Sequence, residues 1–165
     1  MIAIVADTHM PKGTRALPAR CIELMAGAEV ILHAGDFVAR SVRDEIAAIG
    51  PPLIAVAGNV DAPDLRAEVP VETELEWAGV RIGMIHDAGP RQGRLERMRR
   101  RFPDVAAVVF GHSHQPLIER GPDGFQIVNP GSPTERRRAP AHTMALGHID
   151  GDGSPRFELV ELTSA

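Results

Sequence analysis

Five short apolar runs, rich in β-branched residues, each end abruptly in side chains that bind metals well. Residues 2–6 lead into Asp7-Thr8-His9, and residues 30–34 into Gly35-Asp36. Residues 53–57 lead into Gly58-Asn59-Val60-Asp61, residues 80–85 into His86-Asp87, and residues 105–110 into Gly111-His112-Ser113-His114. Runs of this length and composition read as buried strands. Sites in open α/β sheets form beyond the carboxyl ends of the strands. Five such ends can therefore converge on one place.

The segments between the runs support this. Leu17, Cys21, Leu24 and Met25 stand at helical spacing within residues 17–28, and residues 42–49 form a second amphipathic stretch stopped by Gly50-Pro51. The first third thus alternates strand and helix, which implies parallel strands with crossover helices. Residues 71–77 and 80–85, joined at Ala78-Gly79, predict a hairpin, and residues 92–102 a basic helix. After Leu117, turn signals at 121–124, 130–131 and 151–153 predict a β-meander. The expectation is a mixed-sheet α/β protein with two packed sheets.

Composition narrows the function. The 165 residues are 44% hydrophobic and 24% charged, as expected for one globular domain over 1–165. A formal charge of −4 argues against broad nucleic-acid binding, which runs on clustered positive charge. It does not exclude a phosphate-bearing substrate, because a metal site outweighs the overall field locally. The single cysteine, Cys21, sits in an apolar stretch and reads as an inert buried thiol. No run approaches the ~20 apolar residues that span a bilayer, and no signal-peptide core precedes Asp7, so the expected location is the cytoplasm with no membrane partner. Self-association into a homo-oligomer is left open.

The candidate ligands are Asp7, His9, Asp36, Asn59, His86, His112 and His114. Residues two apart in extended chain face the same way, so Asp7 with His9, and His112 with His114, can each grip one centre. A mixture of carboxylate, amide oxygen and imidazole without thiolate suits Mn²⁺, Fe²⁺ or Zn²⁺ in an open site, and holds too much nitrogen for Ca²⁺ or Mg²⁺ alone. Seven ligands are too many for one tetrahedral ion and suit two ions sharing a bridge. Glycine before Asp36, Asn59 and His112 permits sharp turns and close approach. Each fragment alone is weak: Gly-Asp and Gly-Asn are common turn dipeptides, and Asp-Thr-His is an ordinary helix cap. Their joint order is what carries the reading. His33 reads as a buried histidine orienting a ligand loop, and His142 and His148 as packing or surface residues. Arg97, Arg99, Arg100 and Arg101 read as a solvated helix end, and Arg136, Arg137 and Arg138 as surface with a minority chance of meeting substrate phosphate. Trp77 reads as core or interface.

With these residues the chain resembles the calcineurin-like metallophosphoesterases, in their small single-domain prokaryotic phosphodiesterase branch. The family pattern Asp-x-His, Gly-Asp, Gly-Asn, a lone His and Gly-His-x-His is met at the seven positions, and Asn129-Pro130-Gly131-Ser132 is also similar. The resemblance implies a four-layer α/β/β/α sandwich with two mixed β-sheets. It implies two divalent ions, Mn²⁺ first and Zn²⁺, Fe²⁺ or Ni²⁺ as alternatives. Asp7, His9, Asp36 and His114 would hold one ion, and Asp36, Asn59, His86 and His112 the other, with Asp36 bridging. Asp36, Asn59 and His112 would act in catalysis. A hydroxide bridging the ions would attack phosphorus in line, without a covalent enzyme intermediate. The implied substrate is a small or nucleotide-type phosphoester, a diester ahead of a monoester. The alternative is a protein-binding scaffold on the same fold, like the retromer subunit of this superfamily. Two positions depart from the pattern. Val60 stands where many members carry a histidine that assists the leaving group, and Asp87-Ala88-Gly89-Pro90 stands where the branch continues His-Gly-His.

Overall fold

In the computed structural model, which describes residues 1–162, the polar strand ends are gathered by two five-stranded sheets lying face to face. The elements are β1 (Ile2–Val5), α1 (Ala19–Ala26), β2 (Val30–His33), α2 (Arg40–Ala47), β3 (Leu53–Ala55), α3 (Pro63–Glu68), β4 (Glu72–Trp77), β5 (Val80–Ile85), α4 (Arg94–Arg101), β6 (Ala107–Val109), β7 (Leu117–Arg120), β8 (Gln126–Asn129), β9 (His142–Ile149) and β10 (Pro155–Leu162). One sheet runs β10-β9-β1-β2-β3 and the other β4-β5-β6-β8-β7. Both are mixed. β1, β2 and β3 are mutually parallel, with β9 antiparallel to β1. In the second sheet β5, β6 and β8 are parallel, flanked by antiparallel β4 and β7.

Strand alternation creates the layers. In β1, Ile2 and Ile4 face the second sheet, while Ala3 and Val5 face the helices. The space between the sheets is filled by Ile2, Ile4, Leu32, Ile82, Met84 and Val109 among others. α1, α2 and α3 cover the outer face of the first sheet through Cys21, Met25, Val42, Ile46 and Leu65. α4 covers the second through Met98, together with Phe102, Phe110 and Phe125. The result is the expected four-layer α/β/β/α sandwich. Cys21 is fully buried, and burial pushes its thiol up to about 12, consistent with an inert packing group.

Two expectations are corrected, and one helix is added. The chain after Leu117 is not one meander: β7 and β8 form a hairpin in the second sheet, but β9 crosses to the first and lies beside β1. The reason is that β9 is apolar on both faces, with Met144 and Leu146 under the helices and Ala145 toward the second sheet. Such a strand needs a covered, central position. The added helix is α3; its signals are Pro63 in the first turn, Asp64 beside it and Pro70 beyond its end. Arg97 is half-buried rather than a free, solvated helix end. Its guanidinium folds back onto the loop after β5 and donates to the carbonyls of Ala88 (2.8 Å) and Gln92 (3.3 Å).

Trp77 packs against the inter-sheet core and donates its indole N–H to Glu29 at 3.0 Å. His142 and His148 are half-buried on β9, and His148 meets Glu158 at 3.2 Å. Among the described residues, no helix is long and apolar enough to cross a membrane.

Ile82→Ala, in the fully buried inter-sheet layer, is expected to cost about 2–5 kcal/mol by urea unfolding. Ile22→Ala, on a 40% exposed α1 position, should stay within about 0.5 kcal/mol. Similar losses for both would contradict the layer assignment.

Candidate metal centre

All seven sequence-derived residues meet at one edge of the sandwich. Asp7 and His9 follow β1, Asp36 follows β2 and Asn59 follows β3, all from the first sheet. His86 follows β5, and His112 and His114 follow β6, from the second. The site therefore straddles the seam between the sheets. Asp7, His9 and His114 form one group of convergent ligand atoms, and Asp36, His86 and His112 another, each within 4.8 Å.

One carboxylate oxygen joins the groups. Asp36 Oδ2 lies 3.3 Å from His9 Nε2 and 3.3 Å from His86 Nε2. Asp7 Oδ1 lies 3.5 Å from His114 Nε2 and 3.9 Å from His9 Nε2. Asn59 Oδ1 lies between two imidazoles, 3.0 Å from His86 Nε2 and 2.9 Å from His112 Nδ1.

The far side of each ring is held by a neighbour, which decides the nitrogen left facing inward. His86 Nδ1 donates to the Ala34 carbonyl at 2.7 Å, and His114 Nδ1 donates to the carbonyl of Glu135. His9 Nδ1 faces the Glu135 carboxylate at 3.4 Å, and that carboxylate accepts from Arg15 at 2.6 Å. Nε2 of these three histidines is thereby aimed at the centre. His9 Nε2, His114 Nε2 and Asp7 Oδ2 are buried and make no hydrogen bond. Buried polar atoms left unpaired are costly and rare. Here all three belong to residues of one convergent ligand group. The donor set fits a divalent cation and fits nothing apolar.

The charge balance says the same. Burial lowers the pKa of His9, but the adjoining Asp36 and Asp7 carboxylates outweigh it and raise it to about 9. Burial raises that of Asp36, and the imidazoles of His86 and His9 overcome it, holding the carboxyl below its usual range. His86 is likewise raised, its burial overcome by Asp36 and Asp7. Without a cation, protons do part of its work.

The loops are tightly specified. A Cβ on Gly58 would collide with the Asp36 carboxylate, and one on Gly35 would lie 2.8 Å from His86 Nδ1. His33 plays the orienting role expected of it. Its Nδ1 accepts from the Gly35 N–H at 3.1 Å, its Nε2 donates to Thr8 Oγ1 at 3.2 Å, and its ring stacks on Phe37. Burial, joined by the nearby His86 charge, depresses it to about 3, so it stays neutral.

Three contributors went unrecognised in the sequence. Asp61 accepts from the backbone N–H groups of Gly58 (2.6 Å), Val38 (2.8 Å) and Asp36 (3.2 Å), tying the loops after β2 and β3 together. Ser132 Oγ donates to the Asp7 carbonyl at 2.8 Å, and Glu135 buttresses His9 and His114. A signal existed for Asp61, an acid in a turn whose amides need acceptors. Glu135 had none, because the partners of its carboxylate, His9 and Arg15, lie more than a hundred residues away. Of the arginine triplet, Arg137 donates to the His112 carbonyl at 3.3 Å and Arg136 to that of Ala139, while Arg138 is exposed.

The family model described as the calcineurin-like phosphoesterase superfamily domain matches residues 1–152. The chain belongs to that superfamily. A probable metallophosphoesterase of Methanothermobacter thermautotrophicus is 31% identical over 154 residues, covering 92% of this chain and 87% of the relative. Among solved structures, Vps29 of Entamoeba histolytica complexed with zinc superposes with a TM-score of 0.75 at 20% identity, over 98% of this chain and 99% of that one. A structure described as a novel archaeal phosphodiesterase superposes at 0.72 with 23% identity, over 96% and 99%. These two likenesses establish the shared fold. The match is to a metallophosphoesterase family, and this chain carries candidate metal-binding groups at the strand ends.

Because His9 holds a proton up to about pH 9, a cation must displace it, and Mn²⁺ affinity should rise about tenfold per unit from pH 6 to 8. Calorimetry in buffers of differing ionisation enthalpy should register the released proton. Affinity independent of pH would contradict the raised pKa of His9.

Proposed function

We propose that this chain is a phosphodiesterase working with two divalent cations, Mn²⁺ first and Zn²⁺, Fe²⁺ or Ni²⁺ as alternatives. The observation that carries the reading is Asp36 Oδ2, equidistant at 3.3 Å from a histidine of each ligand group, as a bridging carboxylate requires. One group would be Asp7, His9, Asp36 and His114; the other Asp36, Asn59, His86 and His112. When bound, the ions supply Lewis acidity at phosphorus and an activated water as nucleophile. Likeness to a protein described as an archaeal phosphodiesterase supports the diester preference. The substrate is a small or nucleotide-type phosphoester, and the expected location is the cytoplasm.

The chain's own residues divide the remaining work. Asp36 joins the two groups, and its other oxygen, Oδ1, accepts from the Val60 N–H at 3.0 Å, which fixes the carboxylate plane. Asn59 presents an amide oxygen between His86 and His112. His112 is exposed to solvent while its backbone N–H donates to Asp7 Oδ1 at 3.1 Å, placing its ring at the open side where substrate arrives. Val60 is 42% exposed and brings no proton to a departing group. Leaving-group departure therefore depends on the intrinsic stability of the leaving anion.

A protein-binding scaffold is the second reading, supported by the Vps29 likeness. Against it stands the filling of all seven ligand positions and their convergence. A monoesterase uses the same chemistry, and relative rates separate the two.

Metal-stripped protein should regain hydrolysis of bis(p-nitrophenyl) phosphate on adding Mn²⁺, faster than of p-nitrophenyl phosphate. His112→Ala should lose roughly a hundredfold or more in kcat. Absence of turnover with any of the four metals, despite tight binding of two ions, would favour the scaffold. Aryl diesters should be cleaved much faster than alkyl diesters; equal rates would mean that another group protonates the leaving oxygen.

A further inference from the structure

The metal centre opens sideways into a cleft of about 190 Å³, which shares Asn59 and His86 with it. Its walls are apolar: Ala57, Ile85 and Val71, the last 66% exposed and the most exposed large hydrophobic among the described residues. Its charged groups are Arg66 and Asp87, one of each sign. The Asp87 carboxylate is held by the Gly89 N–H at 2.7 Å, and the following loop is pinned by Arg94 and Arg97 of α4 through the carbonyls of Gly89 and Ala88. This wall, where the sequence departs from the family pattern, is therefore built rather than loose. On α3, Asp64 and Glu68 pair with Arg40 and Arg43, which leaves the Arg66 guanidinium outside any ion pair among the described residues.

Size, charge and polarity each constrain an occupant. Pockets for drug-sized ligands start near about 300 Å³, so this cleft suits a single ring. Opposed charges leave its wall formally neutral, which favours a neutral arm over a second phosphate. An exposed valine beside a buried isoleucine gains by being covered, and an unpaired guanidinium offers a flat face for an aromatic ring.

We infer that this cleft receives a neutral, single-ring ester arm of the substrate while its phosphoryl group lies at Asn59 and His86. The inference rests on the phosphoesterase reading above and adds the class of diester: one carrying an aromatic or similarly compact apolar group. Val71 and Arg66 are then specificity-determining residues, and they act through binding of the arm rather than through the reaction.

The test compares two phosphonates, methylphosphonate and phenylphosphonate, at a pH alkaline enough for both to be full dianions, binding by calorimetry to the full chain reconstituted with Mn²⁺. Phenylphosphonate should bind roughly tenfold tighter, the effect of covering part of one ring. Val71→Asp should bring the ratio close to one, and Arg66→Ala should lower it, with methylphosphonate as internal reference in each protein. Since Val71 and Arg66 are exposed, these variants should fold, and circular dichroism checks it. Equal affinities in the wild type, or a ratio unaffected by both substitutions, would overturn the cleft assignment alone. No binding of either phosphonate by metal-loaded protein would overturn the phosphoesterase reading beneath it.

Discussion

The structure depends on a crowd of buried lone pairs kept at the edge of the two sheets. Asp7 Oδ2, His9 Nε2 and His114 Nε2 have neither water-like freedom nor a hydrogen-bond partner. The backbone beneath them is strained as well. Asp7, His9, Asp36, His112 and His114 all occupy the left-handed region, with φ between 44° and 68°. For non-glycine residues such conformations cost on the order of 1–3 kcal/mol each. A chain holds this arrangement only when the surroundings over-determine it. Asp61 under two loops, Ser132 under Asp7, Glu135 behind two histidines and neutral His33 beneath Gly35 do so. Much of the polar interior serves to keep seven side chains from relaxing away from one another.

What supports these loops is an ordinary layered core. Period-two alternation divides each central strand between two apolar clusters, so moving β1 by one residue would turn its whole register inside out. The carboxyl ends of β1, β2, β3, β5 and β6 are fixed by that register. The chemistry at the edge is precise because it inherits the packing of Ile2, Leu32, Ile82 and Val109.

Most of this frame was legible in the sequence because it is written locally. An apolar run followed by Asp-Thr-His or Gly-His-Ser-His states both the strand and what its end presents, and the helices of residues 17–28 and 42–49 announce themselves by spacing. Long-range choices were less legible. Nothing within residues 142–149 says which sheet β9 joins; its two-faced apolarity is intelligible only beside an empty place next to β1. Arg97 looked like one of several basic residues at a helix end, and its turn back onto Ala88 depends on a loop that precedes the helix. The ligands stand in short motifs, whereas Glu135 supports them from across the chain. The residues that converge at the strand ends were therefore readable, and much of their support was not.

The seam beneath the site has a mechanical consequence. The candidate oxygen ligands Asp7, Asp36 and Asn59 belong to one sheet, while His86, His112 and His114 belong to the other. Anything that grips both sets works as a rivet through two plates otherwise joined by an apolar layer and a few hydrogen bonds, such as His86 to Ala34 and Trp77 to Glu29. Chemistry and cohesion then share one fastening. The two plates of such a molecule cannot slide past each other without first letting go of what makes it useful.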